Sequence, residues 1–212
     1  MKTGFAALFL AASLMVILPS ASATLVPPFT SSPGVSLTSI ASMPSGVLVA
    51  TTHTVNFAFG TPTKPAKNMG TVTENVYRDP SGFLFFVFQV HVTGGLNGDI
   101  ERLSSGDWVN SISINAEQYT PSGDKNAVGV DRNGGGTVGI TWTPILTNGQ
   151  TSSFVVLYTD AKSFIPGTIG LIDSGSSPSI PGFVASAPEP ATLSLLGFGL
   201  IGLGALRKKL LK

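Results

Sequence analysis

An all-β fold, with two antiparallel sheets packed as a β-sandwich, is what this sequence predicts, and three observations predict it. Apolar and polar residues alternate in a succession of short segments, the pattern of strands with one buried face. Gly, Pro and Asn-Gly turn signals separate those segments. No amphipathic helical pattern occurs between residues 24 and 187. A jelly-roll-like barrel is the alternative for the same strands. The prediction adds an N-terminal signal helix and a single C-terminal transmembrane helix.

Residues 24–34 are rich in Pro, Ser and Thr and read as an extended leader; residues 35–173 read as the sandwich, with a first strand at 35–40. In residues 46–59, Val47, Val49, Val55, Phe57 and Phe59 form one apolar face, with Thr52, Thr54 and Asn56 opposite. Residues 60–70 carry two Pro and two Lys and read as a loop. Residues 71–77 form a Thr/Val-rich strand closed by Asp79-Pro80-Ser81-Gly82, where Pro fixes φ and Gly permits the reversal. Residues 83–93 are the most apolar stretch of the body. Leu84, Phe86, Phe88, Val90 and Val92 share one face, and the other begins apolar and ends with Gln89 and His91. That is the pattern of a central strand covered on both sides early and on one side later. A short strand over 99–103 and an alternating segment over 108–116 follow, the latter grouping Trp108, Ile112 and Ile114. Residues 119–126 read as a loop. Strands at 127–131 and 137–143 flank Arg132-Asn133-Gly134-Gly135-Gly136, a hairpin by its Asn-Gly. Strands at 151–159 and 168–173 follow Asn148-Gly149 and Pro166-Gly167, and residues 174–187 read as a Ser/Pro/Gly linker.

The two ends are of another character. Residues 1–23 hold a lone Lys2, an apolar run over 5–18 and the small-residue exit Ala21-x-Ala23, which together read as a secretory signal peptide cut after Ala23. Five of the twelve basic residues lie in the ends, whereas all eleven acidic residues lie between Thr24 and Pro190. The segment between is therefore acidic, which excludes a nucleic-acid partner recognised through a basic face. With no Cys, an exported body has no disulfide and no thiolate metal site. Only 11 % of the residues are charged, so Ser, Thr, Asn and Gly must supply the wet surface.

The tail reads Ala187-Pro188-Glu189-Pro190, an uncharged run over 191–206, then Arg207-Lys208-Lys209. As a helix the run spans about 24 Å at ~1.5 Å per residue, short of a hydrocarbon core of about 30 Å, so it crosses only with help from its flanks. Pro188 and Pro190 keep out of the helix, and the basic cluster favours the cytoplasmic side. Within the run, Gly197-x-Gly199-x-x-Gly202 matches a dinucleotide fingerprint as a string, but it lacks the strand–helix setting that site requires.

Pro188-Glu189-Pro190, the Gly-rich apolar helix and the terminal cations, in that order over residues 188–212, resemble the PEP-CTERM sorting signal of exported bacterial proteins. The same tail is also labelled an ice-binding-protein C-terminal domain. The resemblance implies transient membrane anchoring, cleavage near Pro188-Glu189-Pro190 by an exosortase-type protease, delivery to the envelope or extracellular matrix, and a link to extracellular polysaccharide. Residues 83–108, with Asp99-Ile100-Glu101-Arg102, and residues 130–173 are similar to other passengers of this signal; that likeness implies a β fold and no functional residues.

Between the ends the sequence is sparse in chemistry. His53 falls in register with apolar positions and His91 with the wetter face. Two His and no Cys make a poor zinc site, and no Gly-x-Ser-x-Gly elbow is present for a hydrolase. Asp99 and Glu101 share a face if that segment is a strand and could serve acid–base work on a sugar, but turn and surface charge is the favoured reading, since nothing apolar surrounds them to split their pKa values. Asp99, Glu101 and Asp107 are the calcium candidates. Thr-x-Thr recurs at 52–54, 71–73 and 141–143 without the constant period of a flat ice-binding face. The expectation is a non-enzymatic exported protein without cofactors. A carbohydrate-binding or adhesive module presenting Tyr119 or Trp142, and a glycan-acting enzyme, are the rivals.

Overall fold

The computed structural model describes residues 23–187, apart from 29, 33, 62–63, 95–99, 121–122 and 174–177. The expected signal helix and the span over 191–206 lie outside that part. Among the described residues no helix is long and apolar enough to cross a membrane. What is described is all-β: β1 (Thr24–Leu25), β2 (Thr38–Ile40), β3 (Val47–Thr61), β4 (Lys64–Arg78), β5 (Leu84–Val92), β6 (Ile100–Ser105), β7 (Ile114–Tyr119), β8 (Gly129–Arg132), β9 (Val138–Leu146), β10 (Phe154–Thr159), β11 (Ser163–Ile172) and β12 (Ser179–Ser186). A seven-stranded sheet runs β1-β7-β10-β5-β4-β3, with β2 also on β7, and a five-stranded sheet runs β12-β11-β6-β9-β8. Every strand pair is antiparallel except β2–β7.

β5 carries the most apolar sequence and sits centrally, between β4 and β10. Leu84, Phe86, Phe88, Val90 and Val92 enter a core shared with Leu103, Ile140, Trp142 and Leu171 of the other sheet, whereas Phe85 and Val87 are covered on the outer face. The two-sided burial read from the sequence is therefore present. Each such buried side chain stabilises the fold by about 1.5–3 kcal/mol, and in the absence of disulfides this shared core holds the sheets together.

Several elements differ from the sequence reading, each for a physical reason. The alternation over 46–59 does not persist, because the β3–β4 register shifts at Leu48/Ala50 and again at Thr51/Thr54. Each such bulge changes the phase of the strand. Phe57 is thus buried, whereas Val47, Leu48 and Val49 are exposed. Of residues 60–70, expected as a loop, 60–61 continue β3 and 64–70 belong to β4. β4 meets β5 only from Gly70 onward, so Pro65 lies on a free edge where its missing N–H costs no ladder bond. Residues 108–113 are not strand. Trp108 lies against Phe86 with ring centroids 4.9 Å apart and donates its indole N–H to Ser105 Oγ at 2.8 Å. The loop is held instead by the buried Arg132, which donates to the carbonyls of Ile112 and Val109, both at 2.5 Å. Burial lowers the Arg132 pKa, and the Asp160 charge partly offsets this. Residues 174–187, expected as a linker, contain β12, paired with β11 from Ser179 to Ser186.

The leader is woven into both sheets. β1 pairs antiparallel with the first half of β7 and β2 parallel with its second half. Between them the chain crosses to the other sheet, where Val35 and Val130 exchange both backbone hydrogen bonds, at 2.8 and 3.0 Å. Gly34 makes that crossing with φ +82°, and a Cβ there would strike the Val130 backbone. Ser32 reaches on to Arg102, whose guanidinium grips Asp131 bidentately, at 2.5 and 2.7 Å, and lies over Gly139.

Replacing Arg132 by Ala strips two carbonyls of their donor, at about 1–3 kcal/mol for each group left unsatisfied. We expect chemical denaturation to report a loss of roughly 2–5 kcal/mol. A loss below ~0.5 kcal/mol would mean that the loop over 108–113 holds itself.

Candidate functional site

Two places on this body hold a buried acid with an oxygen unpartnered among the described residues. The first is the C-terminal edge strand. β12 pairs with β11 along its whole length, and the hydroxyls of Ser163 and Ser186 meet at 2.8 Å at its end. On its other side the Phe183 N–H donates at 2.8 Å to Glu74 Oε2, which projects from β4 of the opposite sheet. Glu74 points inward with Val72 and Val76 and is fully buried. Its Oε1 has no hydrogen-bond partner among the described residues. Burial pushes its pKa up to about 8, the Phe183 hydrogen bond pulling weakly the other way. At neutral pH the carboxyl is mainly protonated, a neutral group joining the two sheets beside the last strand.

The second place is the outer face of the larger sheet. Odd-numbered residues of β7 and even-numbered residues of β10 point outward there. Tyr77 stacks on Phe85 at 5.1 Å, Phe85 meets Tyr158 at 5.9 Å, and Tyr119 stacks on Phe154 at 6.4 Å. β2 and the segment after it lie against this aromatic face through Ile40 and Met43. Between that segment and the sheet opens a groove of about 810 Å³ lined by Ala23, Ser39, Asp79, Asn115, Glu117 and Tyr158, among others. The Tyr158 hydroxyl donates to Glu117 Oε2 at 2.7 Å. Burial first, then the hydrogen bond and charge of Glu117, raise the Tyr158 pKa, so the phenol stays neutral. Glu117 is 2 % exposed, and its Oε1 has no partner among the described residues.

Most residues singled out in the sequence are not gathered here. Pro188, Glu189, Pro190, Arg207, Lys208, Lys209, Ala21 and Asp99 lie outside the described residues, as does the side chain of His53. Ala23 lines the groove. Glu101 is exposed on β6, and Asp107 is exposed in the following loop with φ 70°. Among the described residues no group of three or more His, Asp and Glu is placed to hold a metal. His91, expected to face solvent, is half-buried, with Nδ1 2.8 Å from Thr151 Oγ1. Trp142, expected on a binding face, is 1 % exposed within the core; the even-numbered residues of β9 point inward with Val138 and Ile140. Tyr119 does lie on the outer aromatic face.

The sequence reading missed Glu74 and Glu117. For Glu74 a signal existed: Val72, Glu74 and Val76 alternate along one strand face, an acid set in an apolar register. Glu117 carries no such signal, because what distinguishes it, the pairing with Thr38 and the hydroxyl of Tyr158, comes from distant parts of the chain.

The edge strand leads directly into the chain's last segment. The family model of the PEP-CTERM protein-sorting motif matches residues 186–209. The tail is a PEP-CTERM protein-sorting motif. The motif supports an exported protein handled by an exosortase-type system and associated with the cell envelope. No curated protein and no solved structure matches the chain. The PEP-CTERM motif begins on the last residue of β12, so Ala187 alone separates the strand from Pro188.

Because the folded Glu74 pKa lies above its unfolded value, its neutral form favours folding. That contribution is complete below the ordinary carboxylate range and is lost as pH rises towards about 8. Stability should therefore fall between about pH 5 and 8, by no more than ~1.4 kcal/mol per pH unit from this group. Melting across that range checks it: Glu74→Gln should flatten the slope, and equal slopes in the two proteins would refute the assignment.

Proposed function

We propose that this chain is a non-enzymatic exported β-sandwich sorted by its PEP-CTERM tail. The signal peptide over 1–23 directs export. The helix over 191–206 then holds the precursor in the inner membrane, with Arg207, Lys208 and Lys209 on the cytoplasmic side. An exosortase-type protease cuts near Pro188-Glu189-Pro190, and the body passes to the envelope or extracellular matrix. The observation that carries this reading is the motif match at residues 186–209, abutting the folded edge strand. Intact-mass measurement of surface material tests it. The expected product starts at Thr24 and ends near Pro188; surface protein that still reaches Lys212 would count against sorting.

The outer aromatic face favours a second reading of what the body does once delivered: adhesion to extracellular polysaccharide. Tyr77, Phe85, Tyr158, Phe154 and Tyr119 line one side of one sheet. Aromatic rings with adjacent hydroxyl, amide and carboxylate groups suit the apolar faces and hydroxyls of sugars. On a glycan array, Tyr77→Ala and Tyr119→Ala should each weaken binding about tenfold, equivalent to ~1.4 kcal/mol. Unchanged binding in both would rule out this face. Hydrolysis of a glycan, abolished by Glu101→Gln, would instead favour an enzyme.

A further inference from the structure

Glu117 presents a buried acceptor with nothing to accept from. Oε2 is occupied by the Tyr158 hydroxyl, whereas Oε1 has no partner among the described residues. Leaving such an atom unsatisfied is costly in a folded protein. The groove around it holds a second carboxylate, Asp79, and neither Lys nor Arg lines it. The other titratable group facing Glu117 is Tyr158 on β10, whose phenol burial keeps neutral. β2 on the other side contributes Thr38 and Ser39, which carry no charge. An ammonium entering here would meet acceptors and no competing cation.

The chain itself can bring one. Thr24 is paired with Ala116 and Leu25 with Asn115. Thr38 of β2 takes the place opposite Glu117 on that side of β7, with its hydroxyl 3.2 Å from that of Thr24, and Ala23, the residue before Thr24, lines the groove. Ala21-x-Ala23 is the small-residue exit of the signal peptide. Hydrolysis of the Ala23–Thr24 bond consumes one water; the new carboxylate departs on Ala23 and an ammonium remains on Thr24. That removes one wall of the groove and creates a three-hydrogen cation beside it. We propose that the groove is a binding site for a primary ammonium, filled by the chain's own processed amino terminus, which pairs with Glu117. The unprocessed chain offers only an uncharged amide at Thr24. This inference rests on the export reading above.

The exported, processed chain tests it by two measurements. Its first residue is read by mass spectrometry, and its α-amino pKa is taken from the pH dependence of N-terminal acylation. We expect a start at Thr24 and an α-amino group titrating about one unit or more above the ordinary ~8. Glu117→Gln should return it to the ordinary value, whereas Tyr158→Phe should not. A chain that retains Ala23 as its first residue should also lose the shift, with Glu117 untouched, so the test survives poor folding of the Gln variant. A start at another residue would overturn the premise and the pairing together. A start at Thr24 with one α-amino pKa in all forms would overturn the pairing alone and leave export standing. A rise in the melting temperature of the processed wild type with added methylammonium would show the site vacant and would likewise overturn the pairing.

Discussion

Sheet edges are the constraint on which this structure turns. Each sheet ends in a row of unpaired N–H and C=O groups that invite pairing with another chain. This chain closes its edges largely with its own ends. The open side of β7 is taken by β1 and β2, and the open side of β8 by Val35. On the far side β12 borders its sheet, and one of its outward N–H groups is satisfied by Glu74 of the opposite sheet. The edge at β3 is left as a long strand broken by register shifts, and such irregularity discourages a continuous partner strand.

The two ends read as targeting segments therefore adjoin strands that complete the body. Thr24, the first residue after the expected signal cleavage, is the first residue of β1. Ser186, where the sorting motif begins, is the last residue of β12. On the proposed reading, each processing step takes place at the border of the fold, and the residues that secure the border, Glu117 and Glu74, are buried acids. Their surroundings separate them. Glu74 sits among valines, and its pKa rises on burial alone. Glu117 sits beside a phenol in a groove that opens to solvent.

Much of this was legible in the sequence. The two-sided burial of β5 followed from Phe85 and Val87 breaking an otherwise alternating run, and the β8–β9 hairpin followed from Asn133-Gly134, where Asn133 Oδ1 accepts from the N–H groups of Gly135 and Thr137. What stayed hidden depends on contacts distant in the chain. The bulges of β3 follow from its fit to β4. The strand at 179–186 is masked by a composition rich in Ser, Pro and Gly, because an edge strand tolerates residues that a central one rejects. Trp142 shares the apolar register of Val138 and Ile140, a signal of burial that the expectation of a binding face passed over. Of the candidate site, the tail was legible because its three parts are contiguous; the groove was not, because it joins residues 23, 39, 79, 117 and 158.

The short connection between fold and motif has a mechanical meaning under the proposed arrangement. Four residues separate Ser186 from the start of the apolar run at 191, and even fully extended they span only about 17 Å. The interfacial layer on one side of a bilayer takes up roughly 5–8 Å of that. A membrane-held precursor would thus keep its sheet edge close to the surface, with little room for a protease between them. The alternative source of length is the body. Peeling β12 back through its eight residues would add about 27 Å, at the cost of the Glu74–Phe183 bond and the β11 ladder. Glu74 therefore bears on more than packing under the proposed arrangement, because its bond to Phe183 is one of the contacts, with the β11 ladder, that such peeling would have to break.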